Sequence, residues 1–191
     1  MTVYLVRHGE IDGAEGRCIG HTDLPLAPAG HDTLAHLAAR WTLPHAPLLI
    51  SSDLLRARES AQLLAEGWGL TAPIPSDARL REMHFGRWDG KLWAEIERDD
   101  GEAFGEWMAN WQDARTPGGE GFGDVIARAG EWLREVEERA REEAKTEVVA
   151  VAHAGSIRAL LVEAEGETRE GVFRKGVGYG EVRRVRRTRP A

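Results

Sequence analysis

Cysteine is nearly missing from this sequence, which has Cys18 and no other among its 191 residues. A disulfide within the chain is therefore excluded, and so is a zinc site built from several thiolates, because no Cys-x-x-Cys pair occurs. Long apolar runs are missing too. None approaches the roughly 20 residues that span a bilayer, and no secretory leader pattern opens the chain. We therefore expect a cytoplasmic protein without a membrane partner.

The sequence also lacks an excess of basic residues, with 25 Lys and Arg against 32 Asp and Glu and a net charge of −7. Nucleic-acid-binding domains usually present a basic surface, so we expect no nucleic-acid partner. One basic run, Arg183–Arg189, fits either a polyanion-binding tail or a last strand with a charged, solvated face. The oligomeric state is left open, with a homodimer as one candidate assembly.

What is present is an alternation of short apolar runs with helical patterns, which favours a mostly parallel sheet covered by helices. Strand-like runs lie at residues 2–6, 48–50, 147–152 and near 177–186, with an extended piece near 73–75. Helical periodicity covers residues 28–40, about 54–65, 122–140 and 157–164. We predict one domain, residues 1–191, with a three-layer α/β/α sandwich and a small helical lid at about 87–120.

Three of the predicted strands lead to basic or imidazole side chains. Arg7 and His8 end the first strand, Arg56 lies in the first turn of the helix after the second, and His153 ends the strand at 147–152. Parallel strands present their carboxyl ends at one edge of a sheet, where ligands bind. Helix N-termini and guanidinium groups at that edge suit a tetrahedral oxyanion. The pattern indicates a phosphate site.

An imidazole at such a site can act as a nucleophile. His8 must then be neutral at one ring nitrogen, and the positive charges of Arg7 and Arg56 are expected to lower its pKa. Glu82 supplies a carboxyl that can protonate the leaving oxygen and then take a proton from water. His153 is expected to donate a hydrogen bond to the transferring phosphoryl group.

These residues occur in segments that resemble the histidine phosphatase superfamily, which has the phosphoglycerate mutase-like fold. The matching segments, in the family's order, are Leu5–Glu10, Gly20–Leu26, Ser51–Ala57, Leu80–Glu82 with Phe85–Gly86, Pro117–Glu120 and Ala152–Arg158. They cover most of the chain up to about residue 160. An Arg-His-Gly tripeptide alone is a weak signal, whereas this ordered series is specific.

The resemblance implies that His8 is the phosphorylated nucleophile, that Arg7, Arg56 and His153 form the phosphate pocket, and that Glu82 is the proton donor. Two further candidate substrate contacts are Ala154, which follows His153, and His21, for which a solvated loop position is the other interpretation. The implied reaction uses no metal and no cofactor.

The implied activity is hydrolysis of a small phosphorylated metabolite. The short insert after the acid and the Pro-Gly-Gly-Glu segment resemble α-ribazole phosphatases and broad-specificity phosphatases. Two alternatives stay open. One is a phosphoglycerate mutase that depends on 2,3-bisphosphoglycerate, and the other is a phospho-ligand-binding module without catalysis.

The chain departs from the family pattern in one loop. The family often has Thr or Ser after the Arg-His-Gly-Glu block and Asn three residues later, where this chain has Ile11 and Ala14. The loop before Gly20 is also one residue shorter. Because that Asn usually helps to hold phosphate, the resemblance implies that this contact is missing, while the nucleophile and the acid are retained.

The helical lid contains an aromatic cluster with two interpretations. Phe104, Trp107, Met108 and Trp111 fall on one face of a helix. They form either an ordinary packed core or an aromatic wall that selects a ring-bearing leaving group. Arg158 likewise has two interpretations, a group that reaches the site or half of an ion pair on a helix face.

Overall fold

The computed structural model describes residues 1–43 and 45–185, which contain a four-stranded mixed sheet. Its strands are β1 (Thr2–Arg7), β2 (Leu48–Ser51), β3 (Glu147–Ala152) and β4 (Val182–Val185). Their order is β2-β3-β1-β4. Strands β1 and β2 both pair with β3 in parallel, and β4 pairs with β1 antiparallel. The predicted mostly parallel sheet is confirmed.

Helices cover both faces of this sheet. They are α1 (Pro28–Arg40), α2 (Leu55–Gly67), α3 (Trp93–Asp99), α4 (Gly101–Asn110), α5 (Phe122–Glu142), α6 (Ala154–Glu165) and α7 (Arg169–Arg174). Helices α1 and α2 pack on one face, and α5 and α6 pack on the other. The three-layer prediction is therefore confirmed. Within the described ranges, no helix is long and apolar enough to cross a membrane.

The alternation of side chains along each strand builds the two cores. Val6 and Val151 point into the core under α1 and α2, whereas Leu5 and Ala150 point into the core under α5 and α6. Strand β3 is buried along its whole length because it has a strand on each side and a helix layer on each face. This explains why its sequence is a continuous apolar run.

The lid forms a small core of its own. Trp88 and Ile96 are buried there with Cys18, and the partly buried rings of Trp93 and Phe104 pack against them. The indole Nε1 of Trp88 donates a hydrogen bond to Asp100 at 2.6 Å. The helical excursion predicted at about 87–120 therefore corresponds to α3 and α4 with their flanking turns.

Some elements differ from the sequence predictions. The piece near 73–75 is not a strand and adds only a single bridge, between Ser51 and Ser76; the prolines at both ends of it cannot donate to a ladder. Helix α6 begins at Ala154 instead of 157, and α2 begins at Leu55 instead of 54. Helix α7 was not predicted, since its six residues are too few to show a period.

Loop residues explain where α2 begins. A carboxylate oxygen of Asp23 accepts a hydrogen bond from the backbone N–H of Leu55 at 2.6 Å, so the cap comes from a distant loop. Asp53, two residues before the helix, is paired with Arg81 and does not cap it. At the other end of the chain, β4 lies inside the predicted range 177–186, and residues 186–189 of the arginine-rich run lie outside the described residues.

Candidate active site

Strand register brings the predicted site residues to one edge of the sheet. Arg7 pairs with Ala152 at the carboxyl ends of β1 and β3, and the N–H of His8 donates to the carbonyl of Ala152 at 3.0 Å. Helix α1 then follows β1 onto one face, and α6 follows β3 onto the other. The crevice between two such diverging connections is the usual ligand site of an open α/β sheet. His8 and His153 lie there with ring centroids 4.9 Å apart.

The tautomer of His8 is set by a backbone carbonyl. Nδ1 lies 2.7 Å from the carbonyl oxygen of Gly9, which can only accept, so Nδ1 carries the proton and Nε2 has the lone pair. The side chain is 4% exposed. Burial, followed by the positive charges of Arg56 and Arg7, lowers the pKa of His8 from 6.5 to about 3. The ring is therefore neutral at neutral pH, as the sequence analysis expected.

Arg56 fixes the tautomer of the second histidine. Its guanidinium is buried and donates to the carbonyls of Thr22 at 2.9 Å and Gly20 at 2.6 Å, while Nε donates to Nδ1 of His153 at 3.2 Å. Because Nδ1 of His153 accepts, its Nε2 carries the proton. That Nε2 is buried and has no hydrogen-bond partner in the part of the chain that the structure describes. Burial and the neighbouring His8 and Arg56 hold the pKa of His153 well below its usual value.

Arg7 is held by residues 177–180, which precede β4 and lie in the range near 177–186 that was predicted as a strand without a role in the site. Its Nη1 donates to the carbonyl of Val177 at 2.6 Å, and the N–H of Gly180 donates to the carbonyl of Arg7 at 3.0 Å. The ring of Tyr179 lies against the guanidinium, 3.9 Å from its central carbon, and 5.5 Å from the ring of His8. Nε of Arg7 is buried and unpaired among the described residues. No motif in the sequence signals Tyr179.

Glu82 is bound to the start of α6. One carboxylate oxygen accepts the N–H of Gly155 at 3.0 Å and the N–H of Met83 at 2.8 Å. A Cβ atom at position 155 would clash with this oxygen, so glycine is required for the contact. The carboxylate is thereby tied to the helix that begins one residue after His153. Ala154, the first residue of that helix, has an N-terminal amide of the kind that helices leave unpaired.

The loop carrying Glu82 is held in place by Arg128 on α5. The guanidinium donates to the carbonyl of Glu82 at 2.9 Å and to the carbonyls of Arg79 and Arg81 at 2.6 and 2.7 Å. Arg128 also pairs with Glu120, the last residue of the Pro-Gly-Gly-Glu segment, at 2.9 Å. Through this pair, the Pro-Gly-Gly-Glu segment helps to hold Arg128 against the loop that carries Glu82. Sequence analysis missed Arg128, which lies 46 residues from its partner.

His21 lies against the same loop. Its Nε2 is 2.9 Å from the carbonyl of Glu82, its ring centroid is 4.7 Å from that of His84, and it is half-buried rather than a freely solvated side chain. Burial lowers its pKa. The backbone N–H groups of Gly20, His21 and Thr22 all donate to the carboxylate of Asp89, which anchors the loop and was also missed.

The two residues that depart from the family pattern, Ile11 and Ala14, lie in the loop after β1. Ile11 is 8% exposed and forms an isolated bridge with Leu26. Ala14 is half-buried, and its carbonyl accepts the N–H of Arg17 at 3.0 Å. Neither side chain can donate a hydrogen bond to phosphate: Ile11 stands where the family often has Thr or Ser, and Ala14 stands where it has Asn.

An apolar pocket of about 280 Å³ opens beside Glu82. Its lining comprises Glu82, Met83, Phe85, Trp107, Met108, Trp111, Phe122, Gly155, Arg158 and Phe173. Within the aromatic cluster, Phe104 and Trp107 pack against the lid core, and Trp107, Met108 and Trp111 line the pocket. Selection of a ring-bearing leaving group by this wall stays a hypothesis. The guanidinium of Arg158 lies over the ring of Phe173, 4.7 Å from its centroid.

Comparison with known proteins agrees with this geometry. The Salmonella typhimurium adenosylcobalamin/alpha-ribazole phosphatase is 35% identical over 125 residues, which is 64% of this chain and 60% of that protein. The glucosyl-3-phosphoglycerate phosphatase of Mycobacterium tuberculosis is 39% identical over 165 residues, covering 82% of this chain and 71% of that protein. The solved structure of the alpha-ribazole phosphatase from Shigella flexneri superposes with a TM-score of 0.88 and 25% identity, covering 99% of this chain and 92% of that one.

The family assignment follows from the match along the chain. The family model described as histidine phosphatase superfamily (branch 1) matches residues 3–190. The predicted fold and the predicted phosphatase character are confirmed by the superposition and by the phosphatase relatives. This chain belongs to the histidine phosphatase superfamily, branch 1.

Proposed function

We propose that this protein hydrolyses small phosphomonoesters by transferring the phosphoryl group first to His8 and then to water. The observation that carries the proposal is the hydrogen bond between Nδ1 of His8 and the carbonyl of Gly9. It leaves Nε2 with a lone pair, and the lowered pKa keeps that lone pair available at neutral pH. A phospho-ligand-binding module would need neither feature.

In the first step, Nε2 of His8 attacks phosphorus. The N–P bond forms as the P–O bond to the alcohol breaks, and Glu82 in its acid form gives a proton to the leaving oxygen. The negative charge on the other phosphoryl oxygens is met by Arg7, Arg56 and the Nε2–H of His153. The unpaired Nε of Arg7 and Nε2 of His153 support this assignment, because buried donors normally have partners.

In the second step, water attacks the phosphohistidine. Glu82, now a carboxylate, takes a proton from the water, the O–P bond forms, and the N–P electron pair returns to Nε2 of His8. Inorganic phosphate leaves, and both residues regain their starting states. The N–H groups of Gly155 and Met83 support this role because they fix the carboxylate at the start of α6.

We propose an α-ribazole 5′-phosphate-like metabolite as the substrate and the cytoplasm as the location. Proteins named as alpha-ribazole phosphatases are among the relatives in sequence and in structure, which supports this choice. Ala154 and His21 remain proposed substrate contacts. Because Nε2 of His21 is engaged by the Glu82 loop, any contact from that ring would come through its other nitrogen or its face.

The test is to incubate the purified protein with 4-nitrophenyl phosphate in a metal chelator and to follow both turnover and protein-bound phosphate. We expect turnover with an acid-labile, base-stable phosphoprotein. The reaction should fall at least about 10⁴-fold in His8→Ala, because loss of a nucleophile removes the whole pathway. His31→Ala, on the exposed side of α1, is the matched control and should retain wild-type rates.

Other outcomes would decide against the proposal. A long-lived phosphoprotein that passes its phosphate to 3-phosphoglycerate, and not to water, would indicate the mutase. Neither label nor turnover with any ester, in a protein that still binds inorganic phosphate, would indicate a binding module.

A further inference from the structure

The pocket beside Glu82 has no role in the phosphoryl chemistry described above. Glu82 and Gly155 are part of its lining, and Glu82 is the proposed donor to the leaving oxygen. A leaving group must lie next to the acid that protonates it. We propose that this pocket binds the leaving group, and that it selects phosphomonoesters whose alcohol carries a flat apolar ring with a hydrogen-bond acceptor that meets Arg158. The proposal rests on the proposed function.

The walls of the pocket favour a ring over a polyhydroxylated group. Trp111, Phe122 and Phe173 contact one another, with centroids 3.9 Å (Trp111–Phe173), 5.1 Å (Phe122–Phe173) and 5.9 Å (Trp111–Phe122) apart. Aromatic faces and edges in this arrangement leave room for another ring to stack or meet them edge-on. The hydroxyls of glycerol or another polyol without a ring would lose their hydration against these walls without gaining partners.

Solvent exposure points the same way. Met108 is 55% exposed and Phe173 is 40% exposed, although both line the pocket. An apolar ligand would cover this surface, and its burial is favourable at about 25 cal/mol per Å². A cavity of roughly 150 Å³ accommodates benzene, so a pocket of about 280 Å³ has room for one substituted ring or a small fused ring system.

Arg158 supplies the polar end of the pocket. Its Nε is buried and has no hydrogen-bond partner within residues 1–43 and 45–185. One face of the guanidinium is occupied by the ring of Phe173, which leaves its edge to meet an acceptor. A buried N–H without a partner is costly, so an acceptor on the substrate would be bound selectively there. The helix-face ion pair considered from the sequence is not found for Arg158 among the described residues.

The experiment compares alcohols that leave with similar ease. The esters are benzyl phosphate, its 3- and 4-carbamoyl derivatives, n-butyl phosphate and glycerol 1-phosphate, and kcat/KM is measured for each. We expect benzyl phosphate to exceed butyl phosphate about tenfold, and one carbamoyl derivative to exceed benzyl phosphate by a further several-fold. Glycerol 1-phosphate should be the poorest substrate.

Variants then assign the preference to the pocket. Trp111→Ala, and separately the milder Phe173→Ala, should bring the benzyl-to-butyl ratio close to 1. Trp68→Ala is the matched control. Its indole lies at the end of α2, packs against the core under α1 and α2, and donates a hydrogen bond to the carbonyl of Trp41. Arg158→Met should abolish only the carbamoyl preference, and Arg134→Met, exposed on α5, should leave it intact.

Failure of this inference can be told apart from failure of the proposed function. Equal kcat/KM for benzyl and butyl phosphates, or a benzyl preference that survives in both Trp111→Ala and Phe173→Ala, would overturn the pocket assignment while hydrolysis continues. Loss of the carbamoyl preference in Arg134→Met as well as in Arg158→Met would overturn the role of Arg158. If the proposed function itself is wrong, no ester is hydrolysed: a binding module forms no phosphohistidine, and a mutase forms a long-lived one that passes its phosphate to 3-phosphoglycerate.

Discussion

The proposed phosphate side and the proposed leaving-group side of this site differ in polarity and in exposure. On the phosphate side, His8, Arg56 and His153 are 4%, 1% and 0% exposed, and hydrogen bonds from or to them fix each ring or guanidinium. On the leaving-group side, Met108 and Phe173 are 55% and 40% exposed and belong to short outer helices. The first side is polar and held by the sheet, and the second is apolar and held by packing.

The difference teaches where chemistry and selectivity reside. Groups at adjacent strand ends keep their distances because backbone ladders fix the register of the sheet, which suits steps that need alignment to a fraction of an ångström. Groups on α4 and α7 lie outside the sheet and are positioned by side-chain packing, such as that of Trp111 and Phe122 on Phe173. Glu82 lies between the two sides, since it is bonded to α6 and also lines the pocket.

The strongest challenge to this comparison is Glu82→Gln. The amide keeps an acceptor for the N–H of Gly155 but cannot give a proton to the leaving oxygen. Phosphorylation of His8 in a single turnover should slow about 10²–10⁴-fold with benzyl phosphate, and much less with 4-nitrophenyl phosphate, whose alcohol leaves without a proton. Glu97→Gln, exposed on α3, is the control. An equal loss with both esters would speak against Glu82 as the acid.

Gly155→Ala tests whether the link between the two sides matters. The new Cβ would displace the carboxylate of Glu82, so the rate with benzyl phosphate should fall about 10²-fold without loss of the fold. The matched control is Gly105→Ala on α4, where the added Cβ meets open space and should stabilise the helix by about 0.5–1 kcal/mol. Rates and Tm are measured for both variants. Wild-type rates in Gly155→Ala would show that Gly155 is not needed to position the carboxylate of Glu82.

A pH series tests whether burial lowers the pKa of His8 in the folded protein. Burial, Arg56 and Arg7 lower the pKa of His8 from 6.5 to about 3 in the fold, so between these values the unfolded chain binds a proton that the folded chain does not. The free energy of unfolding therefore falls as pH falls through this window. In His8→Gln this slope should be shallower by up to about 1.4 kcal/mol per pH unit.

Urea unfolding from pH 7 to pH 4 measures the slope. His31→Gln, with its side chain exposed on α1, serves as the comparison. A His8→Gln slope equal to that of the wild type would mean that the ring takes up protons in the fold as readily as in the unfolded chain.

The smallest expected effect belongs to Tyr179, whose ring lies on the guanidinium of Arg7. Tyr179→Leu should raise KM and the inhibition constant of inorganic phosphate about 2–5-fold, because a partly exposed cation–π contact contributes about 0.5–1 kcal/mol. Tyr179→Phe should restore both constants, since the ring face is kept. A Phe variant as weak as the Leu variant would assign the effect to the hydroxyl group instead.

Local patterns were sufficient for much of the fold. Pro28 and the apolar period after it gave both ends of α1, and the run from Glu147 to Ala152 gave β3 to the residue. The same patterns placed the start of α6 three residues late. The helix is capped at His153, whose backbone N–H donates a hydrogen bond to Oγ of Ser156, and apolar periodicity does not reveal this cap. The patterns predicted only an extended piece at Pro73–Pro75, and the structure has a single bridge beside it, between Ser51 and Ser76.

The residues of the candidate site also divide into those that local motifs identified and those that were missed. His8, Arg56, Glu82 and His153 were identified because each lies in a short motif next to a strand or helix end. Asp89, Arg128 and Tyr179 were missed because their contacts join segments tens of residues apart, and nothing in their own neighbourhood marks them.

By itself, the sequence predicted which groups are candidates for the chemistry and that Arg7, His8 and His153 end parallel strands, because apolar periodicity and motif order are local properties. Only the tertiary structure decided how those groups are used. The tautomers of His8 and His153 depend on a carbonyl and a guanidinium that the fold brings to them. The pocket beside Glu82 exists only where α4, α5, α6 and α7 meet, because its walls come from residues separated by up to 91 positions, from Glu82 to Phe173.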